Sequence, residues 1–378
     1  MHNGTGGGVL SVIRNLSFYQ QNPIIEQSVL YTIDNSKISD NYKVKSNIDI
    51  KTNSLYCYSP HWNFYHTCRQ LSKYIPDEET VIVAHDWLEL GMVSHLGLNN
   101  PVVLVVHGDY KYYYDLAIKH TDAIDIYICI AGDIAKKLKD LLPNRIEDIY
   151  YQRFPVKNPI GKIHFGGIKK LLFIGRCENA KGYNLLPLIE EQLQQMDCEL
   201  DWTIVGDGGE MEQVKWPIGS RVRFMKEIPN EEVLQLLPEH DLLLLPSIAE
   251  GMPVSIIEAM KAGVIPIVND IPGGIQELIE NNFTGYKIKN NIPLDYAVTI
   301  KMLCNDSDLV NKIGNNCMKR GMNMFNPLHN AQAFEALFQQ ASKKAKKKRR
   351  LKIYGSRLDQ PWIPNILVTE IRKRSKNR

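Results

Sequence analysis

No two of the seven cysteines form a C-x-x-C pair, and they lie scattered at positions 57, 68, 129, 177, 198, 304 and 317. Such spacing indicates neither a disulfide framework nor a structural zinc site, and a reducing compartment fits it best. Long apolar runs are missing too, none approaching the ~18 residues of a membrane-spanning helix. The start, MHNGTGGG, is polar and Gly-rich and lacks the apolar stretch of a signal peptide. The expectation is a cytoplasmic protein, and N-x-S/T triplets such as those at Asn3, Asn15 and Asn282 are then chance matches. Gly4, Gly6, Gly7 and Gly8 are not followed by the G-K-[ST] of a Walker loop. The one D-x-D, Asp306-Ser307-Asp308, falls between two helical patterns, where Asp306 suits a helix cap better than a metal site. No essential metal is expected.

What is present is ordinary in bulk and uneven in charge. With 378 residues, two domains are the first expectation. The 44% hydrophobic and 23% charged content excludes disordered and fibrous classes. Residues 343–378 carry 14 Lys/Arg against Asp359 and Glu370, a net +12, while residues 1–342 carry 31 against 40, a net −9. From Gln27 to Tyr151 short β-rich runs (SVLYTI, SLYCY, TVIVA, VVLVV, IYICI) alternate with helical patterns such as AGDIAKKLKDLL. That alternation implies βαβ units and a parallel sheet. After FPVKNPIGKIHFGG it begins again with KKLLFIG, NLLPLIEEQLQQM, DWTIVG, RVRF, DLLLLP and VIPIV. The reading is an α/β protein of two Rossmann-like domains, with ligands at the carboxyl ends of the strands and the chemistry in a cleft between the domains.

The most informative stretch is Asp241–Leu278, DLLLLPSIAEGMPVSIIEAMKAGVIPIVNDIPGGIQEL. A buried strand runs into a loop, Pro253 takes the first helical position, Glu258 sits in the first turn, and Gly263 ends the helix. Free backbone N–H groups and the helix dipole at that terminus suit a phosphate. Glu250 and Glu258 flank it, where each could accept hydrogen bonds from sugar hydroxyls. Spacing alone also fits two S-x-x-E capping boxes, Ser247 with Glu250 and Ser255 with Glu258.

Four motifs in one order, GRCENAKG (175–182), VGDGGE (205–210), PSIAEGMPVSIIEAMKAG with its Glu-x7-Glu pair, and DIPGGIQELI (270–279), make the sequence resemble the retaining family 4 glycosyltransferases of the GT-B fold. The resemblance covers roughly residues 4–340 and is strongest over 169–288. It implies that Glu258 binds the nucleotide ribose, and that Glu250 contacts the donor sugar. It also implies that the backbone around Gly251, Met252, Val254 and Ser255 cradles sugar and phosphate. Arg176 and Lys181 match the diphosphate-binding cations, which would stabilise the leaving group's charge. His107 matches a histidine near the sugar, Gly6–Gly8 match the first Gly-rich loop, and Gly206 lies near the nucleotide. Only Met1–Asn3 precede that loop, so the first strand is expected to be missing.

The domains expected are 1–160 for the acceptor, 161–325 for a nucleotide-sugar donor, a helix over 326–345 crossing back, and a basic tail over 346–378. The function implied is metal-independent, retaining transfer from a UDP- or GDP-sugar to a glycan or lipid-linked acceptor, with no cofactor, in surface polysaccharide assembly. A same-face displacement, in which the leaving phosphate helps deprotonate the acceptor, would need no carboxylate nucleophile. Rivals are a silent binding partner in such an assembly and a sugar-nucleotide epimerase. His85-Asp86-Trp87 could orient the acceptor hydroxyl, or Asp86 could cap the next helix. The tail's Lys/Arg beside Trp362, Ile363, Ile366 and Leu367 suit an anionic membrane surface. No recognition motif for nucleic acid accompanies the tail's charge.

Overall fold

Short runs of Val, Ile and Leu, bounded by Gly, Pro and Asp, set the strands of two α/β units. The computed structural model describes residues 8–35, 53–161, 167–344, 349, 352 and 355–376. The first unit takes the described residues of Met1–Ile130, Ile134–Gln152 and Ala331–Arg378, and the second takes those of Ala131–Asp133 and Arg153–Asn330.

In the first unit the helix Gly8–Phe18 is the first described element. Strands β1 (Val29–Asp34) and β2 (Asn53–Tyr58) pair in parallel as a separate two-stranded sheet. Strands β3 (Ile82–Ala84), β4 (Val102–Val106), β5 (Ile126–Cys129) and β6 (Ile149–Tyr151) form a second parallel sheet in that order. Every residue of β4 and β5 is buried, as parallel strands covered on both faces require. The helix Trp87–Leu96 begins where the Asp86 carboxylate accepts from Trp87 N at 2.8 Å, and ends at left-handed Gly97. Asp86 is thus the cap that its position suggested.

The C-terminal stretch is folded onto this same unit. Buried Glu335, on the helix Pro327–Ser342, accepts from the backbone N–H groups of Gln21 (2.8 Å) and Asn22 (3.1 Å). Four ion pairs follow: Lys344 with Asp148, Arg349 with Asp125 at 2.7 Å, Lys352 with Asp122, and Arg372 with Asp359 at 2.7 Å. A last helix, Asn365–Lys376, buries Val368 completely. Three of these pairs join the described tail residues Lys344, Arg349 and Lys352 to acidic residues of the body, so the split between an acidic body and a basic tail has a structural use.

The second unit is one six-stranded parallel sheet in the order β12-β11-β10-β7-β8-β9. Its strands are β7 (Lys170–Ile174), β8 (Asp201–Val205), β9 (Arg221–Met225), β10 (Leu242–Leu245), β11 (Ile265–Asn269) and β12 (Tyr286–Ile288). The chain runs outward from β7 to β9, then returns to lay β10 against the other side of β7. The order reverses at that point, so the loops after β7 and β10 diverge and open a crevice at the carboxyl ends of the strands. The helices Leu186–Gln195, Val254–Ala262, Pro293–Cys304 and Ser307–Met324 belong to this unit.

Candidate functional site

The sheet's reversal brings together residues that the sequence keeps about seventy positions apart. Lys181 ends a 3-10 turn after β7, and Glu250 lies in the loop after β10. Lys181 Nζ donates to Glu250 Oε1 at 2.7 Å, and Ser247 Oγ donates to the same oxygen at 2.7 Å. Ser247 is held in turn by its carbonyl, which accepts from Asn269 Nδ2 at 2.9 Å. Glu250 is buried, so a cation and a hydroxyl fix it in place at the switch point. The residue belongs to a loop and not to a helix, so Ser247 and Glu250 form no capping box.

Close backbone approaches hold these loops in place. Gly182 has φ of +71°, and a Cβ there would meet Pro246 O at 2.1 Å. Gly274 N donates to Gly251 O at 2.9 Å, and a Cβ on Gly274 would lie 2.2 Å from that oxygen. Gly251 and Met252 are buried behind this contact. Gly206 packs its backbone against Gly175 at the ends of β7 and β8.

The helix after the loop corrects two expectations. It runs Val254–Ala262 with Pro253 as its cap residue, and Gly263 closes it with φ of +81°. Pro253 is therefore outside the helix, and Glu258 is its fifth residue, in the second turn. Ser255 is already inside the helix, so an S-x-x-E box cannot form there. Instead Glu258 Oε1 accepts from Asn230 Nδ2 at 2.8 Å, and burial pushes its carboxyl up to about 7 despite Asn230 and Lys261. Val254 and Ser255 offer the unbonded first-turn N–H groups of this helix. Arg176 follows β7 but stands apart, 63% exposed at its side chain and paired with Glu178 at 3.0 Å.

In the first unit, His107 follows β4 and His85 follows the neighbouring β3. His107 Nε2 and His85 Nδ1 lie 2.8 Å apart, so one ring donates and the other accepts. Asp86, beside His85, also accepts from Tyr112 Oη. Gly8 opens the helix Gly8–Phe18, while Gly7 and the glycines before it lie outside the described residues. Asp306 caps the helix Ser307–Met324, accepting from Leu309 N at 2.9 Å. Among the described residues no group of three or more His, Cys, Asp or Glu gathers to hold a metal, and no helix is long and apolar enough to cross a membrane.

Sequence reasoning missed Asn230, Asn269 and Lys261 as parts of the site's support. Lys261 is wholly buried, and its Nζ donates to the carbonyls of Val156 and Phe325. A lysine in the last turn of a helix carries no mark of this role, and Asn230 lies on a separate element. Ser247 had a signal, its spacing to Glu250, but that spacing reads equally as a cap.

Residues 161–320 match the family model described as glycosyl transferases group 1. The UDP-Gal:α-D-GlcNAc-diphosphoundecaprenol α-1,3-galactosyltransferase of Escherichia coli is 28% identical over 200 residues, covering 52% of this chain and 46% of that one. The amylovoran biosynthesis glycosyltransferase AmsK of Erwinia amylovora is 33% identical over 128 residues, 31% of each chain. The chain thus spans less than half the length of these two relatives. Among solved structures, HepE of Anabaena in complex with UDP and glucose superimposes with a TM-score of 0.71 at 16% identity, over 90% of this chain and 98% of that one. TarM of Staphylococcus aureus does so with a TM-score of 0.62 at 21% identity, over 72% and 58%. These likenesses show the fold, an α/β protein of the GT-B type. Residues 161–320, which carry the switch-point residues described above, thus match the group 1 glycosyl transferases.

Proposed function

We propose that the protein transfers a sugar from a UDP- or GDP-sugar to a glycan or lipid-linked acceptor in surface polysaccharide assembly. The observation that carries this reading is the Lys181–Glu250–Ser247 cluster across the switch point of the second unit. Glu258 accepts the ribose hydroxyls, and the first-turn N–H groups of the helix Val254–Ala262 meet the diphosphate. Lys181 and Arg176 stabilise the charge that grows on the departing nucleoside diphosphate. Glu250, fixed by two donors, orients the donor sugar. The reaction retains configuration by same-face displacement and uses neither a metal nor a further cofactor. His107, hydrogen-bonded to His85, serves the sugar from the first unit. The relatives in Escherichia coli and Campylobacter jejuni named for diphosphoundecaprenol or PP-undecaprenol acceptors support a lipid-linked acceptor here.

We further propose that the protein works in the cytoplasm, against an anionic membrane. Trp362 (73% exposed), Ile366 (81%), Leu367 and Ile371 form an apolar surface on and beside the last helix, next to exposed Lys373 and Arg374. An apolar face flanked by cations suits a bilayer interface.

The test is thermal denaturation with UDP-, GDP-, ADP- and dTDP-sugars, with and without a chelator of divalent metals. A ligand that binds only the native state raises its stability by mass action. A selective rise in Tm that survives chelation, followed by transfer to a lipid-linked acceptor, is expected. Folded protein that responds to no nucleotide sugar would overturn the reading in favour of a silent partner. Conversion of the nucleotide sugar without an acceptor would favour an epimerase.

A further inference from the structure

The first unit contains a cavity of about 520 Å³ lined by neither the switch-point residues nor the histidine pair. It lies within the roughly 300–1,000 Å³ range of small-molecule sites. Its walls are Tyr58, Trp62, Phe64, Trp87, Tyr112 and Leu116, and the C-terminal segment closes one side through Gly355, Asp359 and Arg372. Phe64 and Trp87 stack with centroids 5.4 Å apart, so this wall is ordered.

Several of the polar groups that reach the cavity are engaged by the protein itself. Asp359 accepts from Phe64 N (2.7 Å), Ser356 N (2.8 Å), Ser356 Oγ (3.0 Å) and Arg372 Nη2 (2.7 Å). Asp115 is held by Lys111, Ser59 Oγ by His61 N, and Tyr112 Oη by Asp86. His120 bonds to Ser94, and burial beside Lys119 and Lys352 pushes its imidazole down to about 4, so it is neutral at pH 7. A sugar in this space would bury its hydroxyls against mostly apolar walls, and each one left without a partner costs ~1–3 kcal/mol. An apolar chain meets no such cost and gains ~25 cal/mol for each Å² it removes from water. Exposed Lys119 stands at the cavity, and the last helix, which supplies Arg372, carries exposed Lys373 and Arg374. Exposed cations thus stand at the rim, with the Asp115 carboxylate there paired to Lys111, while the interior is mostly apolar.

We infer that this cavity takes the first part of the hydrocarbon chain of a lipid-phosphate acceptor, leaving its anionic phosphate among these cations. The inference rests on the transferase reading and gives it an acceptor class and a place. Tyr112 links the cavity to the proposed chemistry, since it lines the wall and bonds to Asp86, which follows His85 of the histidine pair. The tail segment is in this view a wall of the acceptor site as well as a membrane-facing surface.

Two of the five tryptophans, Trp62 and Trp87, line the cavity, so intrinsic fluorescence of the full chain reports on its occupant. Farnesyl monophosphate is expected to change that fluorescence saturably, whereas glycerol phosphate and N-acetylglucosamine leave it unchanged. Ser59→Phe, which fills the cavity from a loop, and Trp87→Ala, which opens its wall, are each expected to weaken binding by at least about tenfold, or ~1.4 kcal/mol. Calorimetry checks both variants independently of the fluorescence. Non-saturable binding, equal affinity in both variants, or a response to the free sugar would overturn the inference. An unchanged KM for a lipid-linked acceptor in Ser59→Phe would do the same and leave the transferase reading intact. Loss of the nucleotide response would instead sink the transferase reading while the prenyl titration stands.

Discussion

In the role proposed for it, Glu258 has to be charged to hold two ribose hydroxyls well, yet it sits where burial raises its pKa to about 7. Nucleotide affinity should therefore rise as pH goes from about 6 to 8, and Glu258→Gln should abolish that dependence while keeping the bond from Asn230. Stability should move the other way. A carboxyl whose folded pKa lies above its ordinary 4.5 contributes stability that is full below that value and lost as pH rises through about 7. The Gln variant should thus gain in Tm relative to the wild type over that window, which a pH series of melts will read. Lys181 is different, being part-exposed and paired at the surface of the crevice. Lys181→Ala should lower kcat by about 10²–10³-fold, the usual effect of removing one fixed donor to developing charge. The melting temperature should fall as well, because Glu250, only 5% exposed at its side chain, keeps Ser247 but loses its counter-ion.

At the scale of elements, the crevice depends on how closely the loops approach. The helix Gly274–Leu278 starts against the Gly251 carbonyl, with no room for a side-chain carbon. Gly274→Ala should cost about 1–3 kcal/mol, the usual range for overpacking, and weaken nucleotide binding by displacing the loop that carries Gly251 and Met252. Melting and nucleotide titration on the same variant check both. The ten runs marked as strands are all strands; most are apolar because parallel strands buried on both faces must be, whereas β9, at the sheet edge, has no buried residue. β6 and β12 were missed because three residues, mixed in polarity, carry no period to read. Their places are set by the strands beside them.

Across the whole chain, charge is the organising feature. Arg349 and Asp125 are only 4% and 6% exposed at their side chains, so Arg349→Ala would leave a buried carboxylate without its counter-ion. The expected loss is about 3–5 kcal/mol in the unfolding of the first unit, read as an earlier thermal transition. Asp359 behaves as a second clasp. Burial alone would raise its pKa, but Phe64 N, Arg372 and Ser356 N hold it below its ordinary 3.8. That contribution is present above pH 3.8 and lost as pH falls through the lower folded value, so the tail should detach in acid. Its outward face can be tested without disturbing these clasps. Ile366→Glu should reduce binding to anionic liposomes while leaving the melt of the first unit unchanged.

Local chemistry settled much of this protein in advance. The α/β class and the strand-and-helix rhythm were legible because each depends on neighbours within a few positions, while the motifs named Arg176, Lys181, Glu250 and Glu258 as candidates. Tertiary structure alone decided the rest. It placed Lys181 against Glu250, since that contact exists only because β10 returns to the side of β7. It put Glu258 in a second turn beside Asn230, where burial rather than spacing sets its pKa. It tied Lys344, Arg349 and Lys352 to the body, because only in three dimensions do Asp148, Asp125 and Asp122 come within reach of them. A pattern along the chain reports which faces must be buried, whereas the partner that buries them is fixed by packing between segments far apart in sequence.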